Sequence, residues 1–230
     1  MSGTFITFEG IDGSGKSTQL RILAGFLRAQ GVELLLSREP GGTPVGVRLR
    51  AALLDVQGEV DPLTELLVFA ADRAQHVRKV IRPALAKGAV LISDRYADAT
   101  RAYQGAGRGF SSQLISEIIE LATEGLVPDL TILFDVTVEE STNRTTRRSA
   151  KNKRDRLDIE KEDFHSRVRE EYLRIATAEP QRVKVIDAAG TIEGTQEQLR
   201  AIIVPFLQRR GHLSNRLVNT PRHKFKRGHC

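Results

Sequence analysis

Gly10, Ile11, Asp12, Gly13, Ser14, Gly15, Lys16 and Ser17 spell G-x-x-x-x-G-K-S, with Thr18 next in line. These residue types at this spacing suit one task, the holding of a polyphosphate. Glycines permit φ > 0 and let backbone N–H groups approach an anion closely. The lysine supplies a point charge for β- and γ-phosphates, and the serine hydroxyl can ligate Mg²⁺. The motif carries this meaning only between a strand and a helix. Both are legible: Phe5–Phe8 is a short apolar run, and Thr18–Ala29 reads as a helix. The start of that helix adds unsatisfied N–H donors and a positive dipole end.

Such residues act only if the chain builds a platform for them. Short runs rich in Val, Ile and Leu recur at Phe5–Phe8, Val32–Leu36, Val90–Ser93, Leu130–Phe134 and Val183–Ile186. Continuous apolar runs of this length are how strands read when a parallel sheet is covered on both faces. Helical periodicity fills Ser17–Gln30, Pro62–Ala86, Ser111–Glu124, Phe164–Ala178 and Ile192–Arg210. The alternation predicts a three-layer, doubly wound α/β fold with about five parallel strands and right-handed crossovers. Ligands in such folds bind beyond the carboxyl ends of the strands. At those ends stand the phosphate loop, then Ser37-Arg38-Glu39-Pro40-Gly41-Gly42-Thr43, Asp94-Arg95-Tyr96, Asp135 and Asp187. Two arginines at the edge that carries a phosphate loop favour a second anion site.

Thr145–Arg156 is strongly basic, has almost nothing to bury and lies between helical patterns. It reads as a surface segment, either a solvated charged loop or a mobile lid that closes arginines over phosphates. The 230 residues, 40% hydrophobic and 28% charged, suit one α/β domain. No apolar run reaches the ~18 residues of a membrane span, and Met1–Thr4 lacks the basic region of a signal peptide. The single cysteine, Cys230, cannot form an internal disulfide, which fits a reducing cytoplasm. From Arg209 onward there are seven basic and no acidic residues; setting them aside takes the net charge from +6 to −1. The expected division is therefore a body, residues 1–211, with the lid at about 145–156, and a basic tail, 212–230, that reads as a disordered arm. Nucleic-acid binding concerns only that tail and is not expected of the body.

Several further segments then fall into place in order: Arg38-Glu39-Pro40-Gly41-Gly42, Phe69-Ala70-Ala71-Asp72-Arg73, Asp94-Arg95-Tyr96, Ala102–Gly109, Pro128-Asp129-Leu130-Thr131 and Arg156-Leu157-Asp158. With the phosphate loop, they resemble the bacterial thymidylate kinases, P-loop nucleoside monophosphate kinases with a basic lid. The resemblance spans roughly Thr4 to Leu207. It implies transfer of the γ-phosphoryl group of ATP to dTMP, giving dTDP and ADP in dTTP biosynthesis, with Mg²⁺, in a cytoplasmic homodimer.

The resemblance also implies roles. Arg38 and Arg95 would hold the acceptor phosphate, as guanidinium forks fit phosphate oxygens. Phe69 would stack on thymine, with Arg50, Arg73, Thr100 and Gln104 hydrogen-bonding around the base. Tyr103 would sit against the deoxyribose. Asp94 would help Ser17 place Mg²⁺, and Glu9 and Asp12 would add negative charge near the metal and acceptor. Some members carry an arginine where this chain has Gly13; in the glycine branch the lid supplies the catalytic arginines, for which Arg147, Arg148 and Arg156 are the candidates.

A phosphate acceptor has a second pKa near ~6 and needs no general base. The histidines, His76, His165, His212, His223 and His229, lie outside the motifs. Two rival readings remain to be weighed. An adenylate or guanylate kinase would share the loop and lid. A GTP switch finds strings in Asn152-Lys153-Arg154-Asp155 and Asp187-Ala188-Ala189-Gly190. Their order is wrong, and no strand precedes the first.

Overall fold

Strand β1 (Thr4–Glu9) is buried along its whole length and forms the middle of a five-stranded sheet. The computed structural model describes residues 3–55, 59–149, 157 and 160–214, with backbone alone at 148 and 149. The other strands are β2 (Leu34–Arg38), β3 (Val90–Asp94), β4 (Leu130–Asp135) and β5 (Val183–Asp187). Their order is β2-β3-β1-β4-β5, and every pairing is parallel. Because β1 has neighbours on both sides and helices over both faces, Phe5, Ile6 and Phe8 are all core residues.

The register aligns the carboxyl ends. Phe8 lies opposite Asp94 of β3, and Arg38 of β2 lies opposite Asp94 on its other side. The phosphate loop, Arg38 and Asp94 therefore emerge along one edge, as expected for a doubly wound sheet. Helices α1 (Lys16–Ala29) and α9 (Ile192–Arg209) pack together beside β2, β3 and β5. On the other side lie α3 (Pro62–His76), α4 (Arg82–Ala86), α5 (Ala97–Thr100), α6 (Ser112–Thr123) and α8 (Glu162–Ala178).

The structure corrects three sequence expectations. Pro62–Ala86 is not one regular helix, because Val77–Ile81 forms a π-helical turn between α3 and α4. Pro83 has no N–H for an i→i−4 bond, and the wider turn just before it accommodates that loss. The strand expected from Val32 begins at Leu34. Helices α2 (Pro44–Leu54) and α7 (Val138–Ser149) carry no strong apolar signal. Thr43 accepts from the Gly46 N–H to cap α2, and Thr137 accepts from the Glu140 N–H near the start of α7. Helix α7 thus runs five residues into the basic segment, and Thr145, expected in a solvated stretch, is buried. Residues 150–156 lie outside the described residues.

At the far end His212 Nε2 lies 2.8 Å from Thr4 Oγ1, and Leu213 is buried. The described part of the body thus reaches Leu213; the tail from 215 onward lies outside the described residues.

Candidate active site

The phosphate loop turns as its glycines require. Gly10, Gly13 and Gly15 have φ of 134°, 77° and 89°, where a side chain is strained. A Cβ on Gly13 would lie 2.7 Å from the Ser141 carbonyl oxygen, because α7 crosses directly over the loop. Ser141 Oγ also donates to the Asp12 carbonyl at 2.5 Å. Lys16 Nζ donates to the carbonyls of Gly10 and Ile11 at 2.8 and 2.9 Å, which ties its ammonium group to the loop. Burial, joined by the charge of Arg95, pulls the Lys16 ammonium down to about 8 against Asp94, Asp12 and Glu9. Gly10 and Ile11 form the floor of the loop, and Asp12 through Thr18 line the cleft above it.

Arg95 takes a left-handed backbone, φ 74°, just after β3. That conformation is uncommon for a residue with a side chain and marks a position held by its surroundings. Its N–H donates to the Phe8 carbonyl at 2.9 Å. The guanidinium donates through Nη2 to Asp12 Oδ1 at 2.8 Å and Tyr103 Oη at 2.9 Å, and through Nη1 to Tyr172 Oη at 3.2 Å. Burial would raise the Asp12 carboxyl, but Arg95 and Lys16 hold it well below the usual carboxylate range.

Glu9 is the last residue of β1. It is fully buried, accepting from the Tyr96 N–H at 2.7 Å and the Tyr172 hydroxyl at 2.8 Å. Burial, reinforced by Asp98, pushes its carboxyl up to about 8. Burial thus works against the negative charge that the resemblance implies for Glu9, while Arg95 and the two donated hydrogen bonds work for it.

Two spaces open above the sheet edge. The larger, about 890 Å³, is lined by the phosphate loop, Arg38, Asp94, Arg95, Arg144 and Thr191–Ile192. The smaller, about 60 Å³, shares Asp12, Glu39, Arg50, Leu54 and Arg95 with it. Its other walls include Phe69, Arg73, Thr100, Tyr103 and Gln104, so every residue expected around the acceptor base converges on one pocket. A π-helical turn, Arg101–Gly107, presents Tyr103 and Gln104, a wider coil of the kind found at functional sites. Their polar atoms are anchored: Arg73 donates to Glu39 and Thr100, and Gln104 Nε2 donates to Glu65. Leu157, from the Arg-Leu-Asp string, closes this pocket.

Ser17 Oγ donates to Asp94 Oδ2 at 2.8 Å. Two hard oxygen ligands this close suit Mg²⁺, an ion usually bound by one or two side chains plus phosphate and water. No cluster of three or more His, Cys, Asp or Glu residues that could hold a metal by itself occurs among the described residues.

The lid arginines divide. Arg147 is exposed and does not line the cleft. The Arg148 side chain and all of Arg156 lie outside the described residues. Arg144, absent from the sequence expectations, does line the cleft. It is held by Glu140 at 2.7 Å and by the carbonyls of Ala188 and Ala189 at 2.9 and 3.1 Å. Its signal was there: Glu140 precedes it by one helical turn, a favourable i,i+4 pair. Tyr172 and His76 were also missed. His76 follows Asp72 and Arg73 at four and three residues, hence on their face of α3.

The family model for thymidylate kinase matches residues 8–199. A thymidylate kinase of Exiguobacterium sibiricum is 45% identical over 216 residues, covering 93% of this chain and 100% of the relative. One of Clavibacter michiganensis subsp. michiganensis is 48% identical over 200 residues, covering 87% of this chain and 94% of the relative. The crystal structure of the Ehrlichia chaffeensis thymidylate kinase superposes with a TM-score of 0.72 at 36% identity, covering 89% of this chain and 100% of that one.

Proposed function

Since this chain belongs to the thymidylate kinase family and transfers the γ-phosphoryl group of ATP to dTMP, giving dTDP and ADP, we propose that it does so across the shared wall of its two spaces. The donor triphosphate lies in the larger cleft and dTMP in the smaller pocket. The observation that carries this reading is Arg95, which borders both spaces and is tied to the phosphate loop through Asp12.

The reaction joins two polyanions end to end, so positioning and charge do most of the work. Arg38 and Arg95 grip the acceptor phosphate. Lys16 and the loop N–H groups grip the β- and γ-phosphates. Phe69 stacks on the thymine, Arg50, Arg73, Thr100 and Gln104 surround its polar edge, and Tyr103 packs on the sugar. Ser17 and Asp94 hold Mg²⁺, which when bound neutralises phosphate charge. Arg147, Arg148 and Arg156 are the lid candidates for the transferring group, and Arg144 joins them as a wall of the donor cleft.

We further propose a cytoplasmic homodimer. In its favour, Val45 and Val47 of α2 and Leu63 and Leu67 of α3 are exposed on helices that pack together. No helix among the described residues is long and apolar enough to cross a membrane. A coupled ADP-release assay across dTMP, dUMP, AMP and GMP tests the substrate assignment. Highest kcat/KM for dTMP is expected, and a preference for AMP or GMP would overturn it.

A further inference from the structure

We propose that His76 is a positioning residue for the acceptor phosphate, acting through Arg38 from the opposite side of β2; this rests on the reading of Arg38 as a phosphate ligand. Successive side chains of a strand point to opposite faces, so Ser37 and Glu39 share one face and Arg38 takes the other. One imidazole grips both flanking residues. His76 Nε2 lies 2.6 Å from Ser37 Oγ, and Nδ1 lies 2.8 Å from Glu39 Oε1. A carboxylate oxygen only accepts, so Nδ1 is the donor there. Arg38, between them, lines the cleft beside Asp12, Lys16 and Asp94.

The grip is tight. His76 is fully buried and Glu39 is 4% exposed. A Cβ on Gly42 would lie 2.7 Å from the imidazole, so the loop backbone passes in direct contact with the ring. The same face of α3 holds two further points: Asp72 Oδ1 accepts from the Gly41 N–H at 3.1 Å, and Arg73 Nε donates to Glu39 Oε2 at 2.8 Å. Arg38 itself is exposed and makes no hydrogen bond or ion pair with any described residue. Its backbone sets where the side chain starts, and α3 holds that backbone through Ser37, Glu39 and Gly41. Helix α3 also carries Phe69 and Arg73 of the base pocket, so one rigid element aligns the base and phosphate subsites.

The test is calorimetric titration of dTMP and of thymidine, whose affinity ratio isolates the phosphate. Proteins compared are the wild type, Arg38→Ala, His76→Gln, Ser37→Ala, and the last two combined with Arg38→Ala. Arg38→Ala lowers the ratio by about tenfold or more, the value of one charge-assisted hydrogen bond. His76→Gln and Ser37→Ala lower the ratio severalfold, leave thymidine affinity within about twofold, and add nothing to Arg38→Ala. Equal weakening of both ligands, or a loss that persists in full beside Arg38→Ala, overturns the inference. So does an unchanged ratio in both His76→Gln and Ser37→Ala while Arg38→Ala lowers it. An unchanged ratio in Arg38→Ala removes the reading of Arg38 and the inference together. Should His76→Gln fail to fold, Ser37→Ala, at a half-buried position, decides.

Discussion

Asp12 Oδ1 and Arg95 Nη2 meet at 2.8 Å, joining the phosphate loop to the end of β3. The contact holds a guanidinium at the border of the two spaces, where the proposed reading puts the meeting of acceptor and γ-phosphate. Tyr103 and Tyr172 brace the same fork, so an Arg95 acting as proposed would have little freedom left to lose. Arg95→Ala is therefore expected to lower kcat by about 10³-fold or more while the far-UV spectrum stays unchanged. Arg95→Lys should recover little of it, since an ammonium cannot reproduce a planar fork. Steady-state kinetics with dTMP check both.

Metal dependence should follow the Ser17–Asp94 contact. Asp94→Asn leaves a neutral oxygen in place of the carboxylate. It should raise the Mg²⁺ concentration needed for half-maximal rate by about 10-fold or more, the usual effect of altering a metal's immediate surroundings. A Mg²⁺ titration at saturating ATP and dTMP measures this; an unaltered midpoint would remove Asp94 from the metal site.

Glu9 makes stability depend on pH. Its carboxyl rises from 4.5 when unfolded to about 8 when folded, so between those values the folded chain holds the extra proton. Stability from this group is fully present below pH ~4.5 and is lost as pH climbs through about 8. Asp72, raised by burial and by Glu39 to about 6, acts with the same sign over a lower range. Glu9→Gln removes the titrating proton and keeps an oxygen that accepts from the Tyr96 N–H. Urea midpoints from pH 5 to 8 should fall for the wild type and fall less steeply for Glu9→Gln. Parallel curves would count against a protonated Glu9.

Gly13→Arg should not import an extra catalytic arginine. With φ at 77° and the Ser141 carbonyl in the way, the side chain must displace α7 from the loop. A loss of roughly 1–3 kcal/mol of stability is expected. Urea denaturation checks it; an equally stable and faster variant would show that α7 yields freely.

Much of this architecture is legible in the sequence. The five strands, the loop and most helices declare themselves because buried parallel strands are continuous apolar runs and long helices keep a clear period. Helix α7 stays hidden because its residues are overwhelmingly polar and its anchor is a serine on a backbone carbonyl, not an apolar stripe. Arg144 disappears with it. His76 escapes for another reason: it touches no proposed ligand and matters only through its neighbours. The burial of Glu9, which raises its carboxyl, is likewise invisible in a residue name.

Phosphoryl transfer between the two spaces requires the two phosphates to meet at Arg95. A crystal structure with dTMP and a non-hydrolysable ATP analogue measures that most directly. An acceptor phosphate oxygen is expected about 3–3.5 Å from the γ-phosphorus, between Lys16 and Arg95, with the thymine against Phe69. Thymine bound away from Phe69, or an acceptor phosphate out of reach of Arg38 and Arg95, would contradict it.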